Sequence, residues 1–168
     1  MHFSLVSGRA ALLASLAALA LLAAACSDDT QTAPDYAAAD EASLKSYITT
    51  NQLTTAQRQT TGLYLVPDSV NTTLPLIAAG KTVSVLYTGQ LLNGQVFDAS
   101  SRNGNVPFKF VLGAGQVIQG WEQGIALLHK GDKARLLLPS ALGYGSRAVG
   151  TIPANSPLVF TVKIVDVQ

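Results

Sequence analysis

The sequence predicts an α+β fold in which a curled antiparallel β-sheet wraps around one short central helix, preceded by an amphipathic helix. From Lys81 onward, short apolar runs alternate with turn residues, and residues 158–167 (LVFTVKIVDV) alternate as a half-buried strand does. Between the strands, one segment carries apolar residues at helical spacing, which predicts the central helix over residues 117–129. The spaced residues are Val117, Ile118, Trp121, Ile125 and Leu128.

The remaining strands follow from the same alternation and from turn signals. Residues 61–67 (TGLYLVP) predict a first strand, and residues 82–87 (TVSVLY) predict a second. Asn93-Gly94 lies between two apolar runs, which is the strongest short signal for a β-hairpin. Further strands are expected over residues 108–112 and 133–139.

Both helices show end signals. In residues 36–50, Leu44, Tyr47 and Ile48 form an apolar stripe, with Asp40 as the expected N-cap and Asn51 as the stop. Gly131 is the expected C-cap of the central helix, where the cations His129 and Lys130 would favour the helix dipole. We therefore expect a helical extension over residues 36–60 and a domain over residues 61–168.

The first 25 residues predict a signal peptide. They contain one basic residue, Arg9, followed by an apolar run over residues 10–25 that only Ser15 interrupts. Sixteen residues are short for a membrane-spanning helix, which needs about 20, but fit the apolar region of a secretory signal.

Cys26 follows directly and is the only cysteine, so it cannot form an internal disulfide. Its place after Leu-Ala-Ala-Ala resembles a bacterial lipoprotein signal, which implies a lipidated Cys26 as the first mature residue and a membrane anchor. The alternative is a plain secreted chain with a free or buried thiol. Ser27 stands where inner-membrane lipoproteins carry Asp, which by the same resemblance favours the periplasmic face of the outer membrane. Residues 26–35 (CSDDTQTAPD) would then be the lipidated cysteine and a flexible tether.

Charge and histidine content exclude two classes of function. Without Arg9, the eleven basic residues fall to ten and match the ten acidic ones, so the body lacks the basic surface of a nucleic-acid binder. Two histidines, His2 and His129, cannot assemble a metal site, and neither a metal nor a cofactor is expected.

Aromatic residues are concentrated around one acid. Six of the 11 aromatics surround Asp98 along the chain: Tyr87, Phe97, Phe108, Phe110, Trp121 and Tyr144. The set offers no nucleophile, so it predicts an apolar pocket from which water is excluded, lined by a few polar groups. Such a pocket suits rotation about an X–Pro amide, which breaks no covalent bond but faces a barrier of about 18–20 kcal/mol. The plainer alternatives are that Trp121 is ordinary core and that Asp98 is a solvated turn residue.

Seven motifs, in order, make the chain similar to the FKBP-type peptidyl-prolyl isomerases. They are VLYTG (85–89), GQVFDAS (94–100), PFKFVLG (107–113), VIQGWEQGI (117–125), KGDKARLLLP (130–139), GYG (143–145) and IPANSPLVFTVKIVDV (152–167). The resemblance spans roughly residues 75–168 and implies the FKBP-like fold and isomerisation of X–Pro bonds. Together with the signal sequence, it implies an enzyme that assists the folding of exported proteins in the bacterial cell envelope.

The resemblance also assigns the site. It implies catalytic roles for Phe97, Asp98 and Tyr144, and substrate contacts from Tyr87, Phe108, Val117, Ile118, Trp121, Ile152 and Phe160. Within that set, Trp121 would be the floor under the proline ring, and Phe108 a wall with Phe110 behind it. Asp98 would be held by the Tyr87 hydroxyl or by Arg102. Tyr144 and the Ile118 N–H would bind substrate carbonyls.

Two departures from the family pattern concern the pocket rim. Gln116 replaces an acidic residue, and the flap over residues 146–151 lacks a histidine found in some relatives.

The implied partners are proline-containing polypeptides, macrolides of the rapamycin class as inhibitors, and a membrane through Cys26. The helix over residues 36–50 is too short to resemble the dimerising helices of some relatives, so a monomer is expected. Two other functions stay open: a binding module that holds proline segments without turnover, and a structural envelope lipoprotein that leaves the pocket unused.

Overall fold

The computed structural model describes residues 36–168. The expected signal peptide (1–25), lipidated Cys26 and tether (26–35) lie outside the described residues. The helices are α1 (Tyr36–Thr50) and α2 (Gln119–Ile125), with 3₁₀ turns at Ser100–Asn103 and Ser140–Leu142. The strands are β1 (Gln57–Arg58), β2 (Tyr64–Ser69), β3 (Thr82–Leu91), β4 (Val96–Ala99), β5 (Phe108–Val111), β6 (Lys133–Leu138) and β7 (Leu158–Val167). Within residues 36–168, neither helix combines the length and apolarity needed to cross a bilayer.

All strand pairs are antiparallel and form one sheet. The order is β1-β2-β6-β7-β3-β4, and β5 pairs with β3 as well. The two ten-residue strands β3 and β7 run side by side from Val83 opposite Val167 to Leu91 opposite Leu158. The predicted α+β fold is confirmed, including the Asn93-Gly94 hairpin, where the Gly94 N–H donates to the Leu91 carbonyl.

Each helix covers one face of the sheet. On the α2 side, the core contains Trp121, Ile125, Leu136 and Phe160. On the opposite side, Leu44 of α1 packs in a second cluster. The alternation along β6 and β7 explains this division, because Leu136 and Leu138 face α2 while their neighbour Leu137 belongs to the α1 cluster.

Two glycines let α2 lie unusually close to the sheet. A Cβ at Gly120 would lie 2.5 Å from the Leu138 side chain, and one at Gly124 would lie 2.7 Å from the Leu136 side chain. Gly120 and Gly124, at positions i and i+4, therefore form a helix face without side chains that lies against β6. This close approach sets how far Trp121, on the same helix, lies inside the domain.

The central helix is shorter than the pattern over residues 117–129 predicts. It begins after Ile118, which is extended with ψ of 152°, and it ends at Ile125. Beyond Ile125 the chain makes tighter bonds, Leu127 N–H to Gly124 and Leu128 N–H to Ile125, and then the Leu128 carbonyl accepts from Ile77. Gly131 accordingly ends a separate turn, and Lys130 forms an ion pair with Asp166 at 2.5 Å. These hydrogen bonds therefore end the helix earlier than the spacing of the apolar residues predicts.

The amphipathic helix spans residues 36–50 as predicted, but Asp40 is not its N-cap. Asp40 lies inside the helix, and its carboxylate is buried against Ser140, 100 residues further along the chain. The first strands also shift. The sheet begins with β1 at Gln57, and β2 starts at Tyr64, three residues later than predicted.

Candidate functional site

One pocket brings together most of the residues that the resemblance implied. It has a volume of about 460 Å³ and opens between α2, the sheet and the loops that precede α2 and follow β6. Its lining residues are Tyr87, Phe97, Asp98, Phe108, Gly115, Gln116, Val117, Ile118, Trp121, Tyr144 and Phe160. Nine of the ten predicted catalytic and substrate-contacting residues are among them.

Trp121 forms the floor of the pocket. Its side chain is only 4% exposed, and three rings stand edge-on to it. The centroid distances are 5.1 Å to Tyr87, 5.4 Å to Phe160 and 6.2 Å to Phe108, with interplanar angles of 78–85°. Edge-to-face packing is the favoured arrangement of aromatic pairs, so these contacts stabilise the walls around the floor. Phe110 is 3% exposed and stacks behind Phe108 at 6.0 Å, as the resemblance implied.

Gly89 allows two pocket walls to meet. In the sheet it lies opposite Asp98 of β4 on one side and Phe160 of β7 on the other. A Cβ at Gly89 would lie 2.6 Å from the Phe97 ring and 2.8 Å from the Phe160 ring. The absence of a side chain at this position lets Phe97 and Phe160 pack edge to face at 5.6 Å. The sequence prediction did not include Gly89, although it stands inside the VLYTG motif.

Asp98 is held by hydrogen bonds and not by a cation. The Tyr87 hydroxyl donates to its Oδ2 at 2.5 Å, and the Ala99 N–H donates to its Oδ1 at 2.8 Å. Burial raises the pKa of the Tyr87 hydroxyl above its ordinary value of 10, and the bond to the Asp98 carboxylate raises it further. Tyr87 therefore stays protonated and keeps donating to Asp98 throughout the physiological pH range.

Arg102 does not pair with Asp98. Its guanidinium donates to the carbonyls of Phe97 at 2.6 Å and Val96 at 3.0 Å. The alternative in which Arg102 neutralises Asp98 is therefore wrong. Because the 3₁₀ turn Ser100–Asn103 folds back along β4, Arg102 reaches that strand's carbonyls and fixes the backbone that carries Phe97 and Asp98.

Two polar side chains order the loop that forms one rim. The Glu122 carboxylate accepts from the Gly113 N–H at 2.6 Å and from the Gly115 N–H at 2.9 Å. Gln116, the departure from the family pattern, accepts from the Val111 N–H at 2.9 Å. A neutral amide oxygen meets this requirement as a carboxylate would, so the substitution preserves the loop.

Two donors at the rim are free to bind a ligand. Among residues 36–168, neither the Ile118 N–H nor the Tyr144 hydroxyl has a hydrogen-bond partner. Burial raises the pKa of the Tyr144 hydroxyl, and the negative charge of Asp98 raises it further. Both groups are therefore available as donors beside the aromatic floor.

Ile152 does not line the pocket, contrary to its expected substrate contact. Its side chain is 4% exposed and packs in the core, while its backbone pairs with Val149 across the flap.

Two residues that support the pocket were not predicted from the sequence. One is the buried Ser100, whose hydroxyl accepts from the Tyr87 N–H at 3.0 Å, and the other is Glu122. Their hydrogen bonds join residues 7 to 13 positions apart, and no local pattern marks them.

The fold and pocket place the chain in a known family. Residues 76–165 match the family model of the FKBP-type peptidyl-prolyl cis-trans isomerases, so the chain belongs to that family. A similar curated protein is FK506-binding protein 2 of Debaryomyces hansenii, which is 50% identical over 88 residues, 52% of this chain and 64% of that protein. The chain thus spans less than two thirds of that relative.

Solved structures show the same architecture. FkpA from Escherichia coli superposes with a TM-score of 0.67 and 34% identity, covering 79% of this chain and 61% of that one. AtFKBP13 superposes with a TM-score of 0.62 and 32% identity, covering 67% of this chain and 98% of that one.

Proposed function

We propose that the protein is a peptidyl-prolyl cis-trans isomerase that acts on X–Pro bonds of exported polypeptides. The observation that carries this proposal is the floor of Trp121 with Tyr87, Phe108 and Phe160 standing edge-on to it under an open pocket. A pyrrolidine ring is compact, apolar and small enough for a pocket of about 460 Å³. Membership of the isomerase family supports the same reading.

The chemistry requires only that the amide be twisted. Rotation destroys the resonance of the C–N bond, so the carbonyl becomes less dipolar and the nitrogen pyramidal. Water solvates the planar, more polar ground state better than the twisted state. Moving the bond into a dry aromatic pocket therefore lowers the barrier, by the same logic of differential binding that governs other enzymes. Each 1.36 kcal/mol removed from the barrier gives about a tenfold rate increase.

The two free donors hold one side of the rotating bond. The Tyr144 hydroxyl binds the carbonyl that precedes proline, and the Ile118 N–H binds a second carbonyl of the peptide. With the proline ring seated on Trp121, the flanking chain is fixed at one end while the other end turns. No group needs to exchange a proton, which agrees with a site whose hydroxyls have raised pKa values.

Asp98 serves the site through its charge and its hydrogen bonds. Its hydrogen bond fixes the Tyr87 ring against Trp121, and its carboxylate places a negative charge on the wall of the pocket. Phe97 closes the same wall through its contact with Phe160.

The proposed setting is the bacterial cell envelope. Its support is the amino-terminal sequence: an apolar run over residues 10–25 and then Cys26, which resembles a lipoprotein signal. In this proposal, a lipid on Cys26 anchors a monomeric domain to the outer membrane, facing the periplasm, where it assists newly exported chains. The curated relative described above is fungal, and the structural relative FkpA is from Escherichia coli, so location depends on this leader.

A protease-coupled peptide assay tests the activity. The protein is added to a peptide whose cleavage requires the trans X–Pro bond, and the slow phase is timed. We expect acceleration of that phase and its inhibition by a macrolide of the rapamycin class. Peptide binding without acceleration would instead identify a binding module, and failure to bind either the peptide or the macrolide would favour a structural envelope protein.

Mass spectrometry of the mature N-terminus tests the location. Expressed in a bacterial host, the chain should begin at Cys26 with a diacylglyceryl mass added, and a Cys26→Ala variant should lack it. An unmodified chain cleaved elsewhere would contradict the lipoprotein proposal while leaving the isomerase proposal intact.

A further inference from the structure

We propose that Asp40, on the helix outside the family-matched segment, is a positioning residue for Tyr144. This inference rests on the proposed isomerase function, because it assigns Tyr144 a role in substrate binding. Asp40 lies in α1, outside the family-matched residues 76–165, and it belongs to none of the isomerase motifs. Its carboxylate nevertheless connects to the segment that carries the pocket tyrosine.

The first step is the contact between Asp40 and Ser140. The Ser140 N–H donates to Asp40 Oδ2 at 2.7 Å, and the Ser140 hydroxyl donates to the same oxygen at 2.6 Å. Both residues are buried, at 4% and 3% exposure. A buried carboxylate is costly unless it is hydrogen-bonded, so the two bonds bind α1 and Ser140 to each other strongly.

The second step leads from Ser140 to the pocket. The Ser140 carbonyl accepts from the N–H of Gly143 and from the N–H of Gly145, both at 2.9 Å. These two glycines flank Tyr144. The orientation of the Ser140 peptide therefore fixes the backbone on both sides of the tyrosine, and Asp40 fixes the orientation of that residue.

The third step concerns the room available for adjustment. A Cβ at Gly143 would lie 2.9 Å from the Leu158 side chain, so the segment already packs tightly on β7. On the far side, the Gly145 carbonyl accepts from the Asn155 N–H at 2.7 Å. Asp40 and Asn155 thus hold the Tyr144 segment from its two ends, and loss of Asp40 releases the end nearer the sheet.

The neighbouring Glu41 provides a matched control. It also anchors α1, since its carboxylate accepts from the Tyr64 hydroxyl at 2.7 Å and from Arg58 Nε at 3.0 Å. It has no hydrogen bond to the Ser140 segment among the residues described here. Glu41→Ala therefore weakens the docking of α1 without touching the connection to Tyr144.

The test compares Asp40→Ala, Asp40→Asn and Glu41→Ala in the peptide isomerisation assay. A misplacement of 1 Å can cost up to about 100-fold in rate. We expect kcat/KM to fall on the order of tenfold in Asp40→Ala, through kcat more than KM, and little in Glu41→Ala. Asp40→Asn, whose carbonyl oxygen can accept both bonds, should retain most activity. Asp40→Ala combined with Tyr144→Phe should be hardly worse than Tyr144→Phe alone.

Amide hydrogen exchange gives a second readout that does not depend on activity. Protection of the Gly143 and Gly145 amides should fall in Asp40→Ala and stay at the wild-type level in Glu41→Ala.

If Asp40→Ala fails to fold, Ser140→Ala provides a second variant. It removes one of the two hydrogen bonds to Asp40, and it should show the same changes to a smaller extent. Unchanged protection of both glycines, equal losses in Asp40→Ala and Glu41→Ala, or additive effects of Asp40→Ala and Tyr144→Phe would overturn the proposal. If the wild-type protein were inactive, the proposed function would fail while the exchange result still decided the structural link.

Discussion

The Tyr87 hydroxyl lies 2.5 Å from Oδ2 of Asp98, and the same Tyr87 ring stands edge-on to Trp121 at 5.1 Å. One residue thus connects the charged group of the pocket to its apolar floor. Each oxygen of this carboxylate accepts one hydrogen bond, Oδ2 from the Tyr87 hydroxyl and Oδ1 from the Ala99 N–H. The arrangement holds a negative charge on the pocket wall directly beside the apolar floor.

Removing the Asp98 carboxylate should impair catalysis in a graded way. Asp98→Asn keeps an acceptor for Tyr87 and should cost less than Asp98→Ala, which leaves that hydroxyl unpaired. We expect kcat/KM to fall about tenfold or more in Asp98→Ala, which corresponds to about 1.4 kcal/mol. Combining Tyr87→Phe with Asp98→Ala should give less than the sum of the separate losses, since the two groups form one unit. Full additivity would show that they act independently.

The activity should withstand alkaline pH. The pKa values of Tyr87 and Tyr144 are both raised above the ordinary 10, first by burial and then by Asp98. Both hydroxyls therefore stay protonated as pH rises to about 10, and the rate should be flat from about pH 7 to 10. A decline below pH 10 that disappears in Tyr144→Phe would show that the hydroxyl ionises early.

The same shift has a consequence for stability. A group whose pKa is raised by folding contributes its stabilisation below the unfolded-state pKa, and this contribution is lost as pH rises through the folded-state value. Alkaline unfolding of the wild type should accordingly begin above about pH 10. Tyr87→Phe should reduce the pH dependence in that range, as measured by denaturant unfolding at several pH values.

Acidic pH should weaken the docking of α1 through Glu41. Its pKa is lowered from 4.5 to about 2, chiefly by the Tyr64 hydroxyl and then by Arg58 and Lys45. A lowered folded-state pKa stabilises the fold above the unfolded value, and this contribution disappears as pH falls from about 5 towards 2. Glu41→Gln should flatten the pH dependence of unfolding in this window. An identical acid profile for wild type and variant would contradict the assignment.

A methyl group at position 89 should disturb the pocket walls. Gly89→Ala places a Cβ against the Phe97 and Phe160 rings, so we expect lower stability and a loss of isomerase activity. Overpacking of this kind costs about 1–3 kcal/mol. Because the closest contact is with Phe97, the double variant Gly89→Ala with Phe97→Leu should regain stability without regaining activity. Wild-type activity in Gly89→Ala would show that the Phe97 and Phe160 rings can move aside without loss of function.

Local patterns predicted most of the architecture. The final strand, the hairpin at Asn93-Gly94 and the span of α1 all follow from residues close together in sequence. The pocket residues were assigned through family motifs and nine of the ten line the cavity. In contrast, the shortened end of α2, the guanidinium of Arg102 on strand carbonyls and the burial of Asp40 depend on contacts made only after folding. Asp40 and Ser140 are 100 residues apart in sequence. No local pattern could therefore show that Asp40, the expected helix cap, instead forms buried hydrogen bonds to the segment that carries Tyr144.

The most direct test is two-dimensional exchange NMR on a short X–Pro peptide, which measures cis–trans interconversion at equilibrium without a coupling protease. The wild-type protein in catalytic amount should produce exchange cross-peaks between the cis and trans forms, and Phe97→Ala, folded by circular dichroism, should remove them. If the wild type gave no cross-peaks while its Trp121 fluorescence still reported peptide binding, the pocket would hold proline without turning it, and the isomerase account would be contradicted.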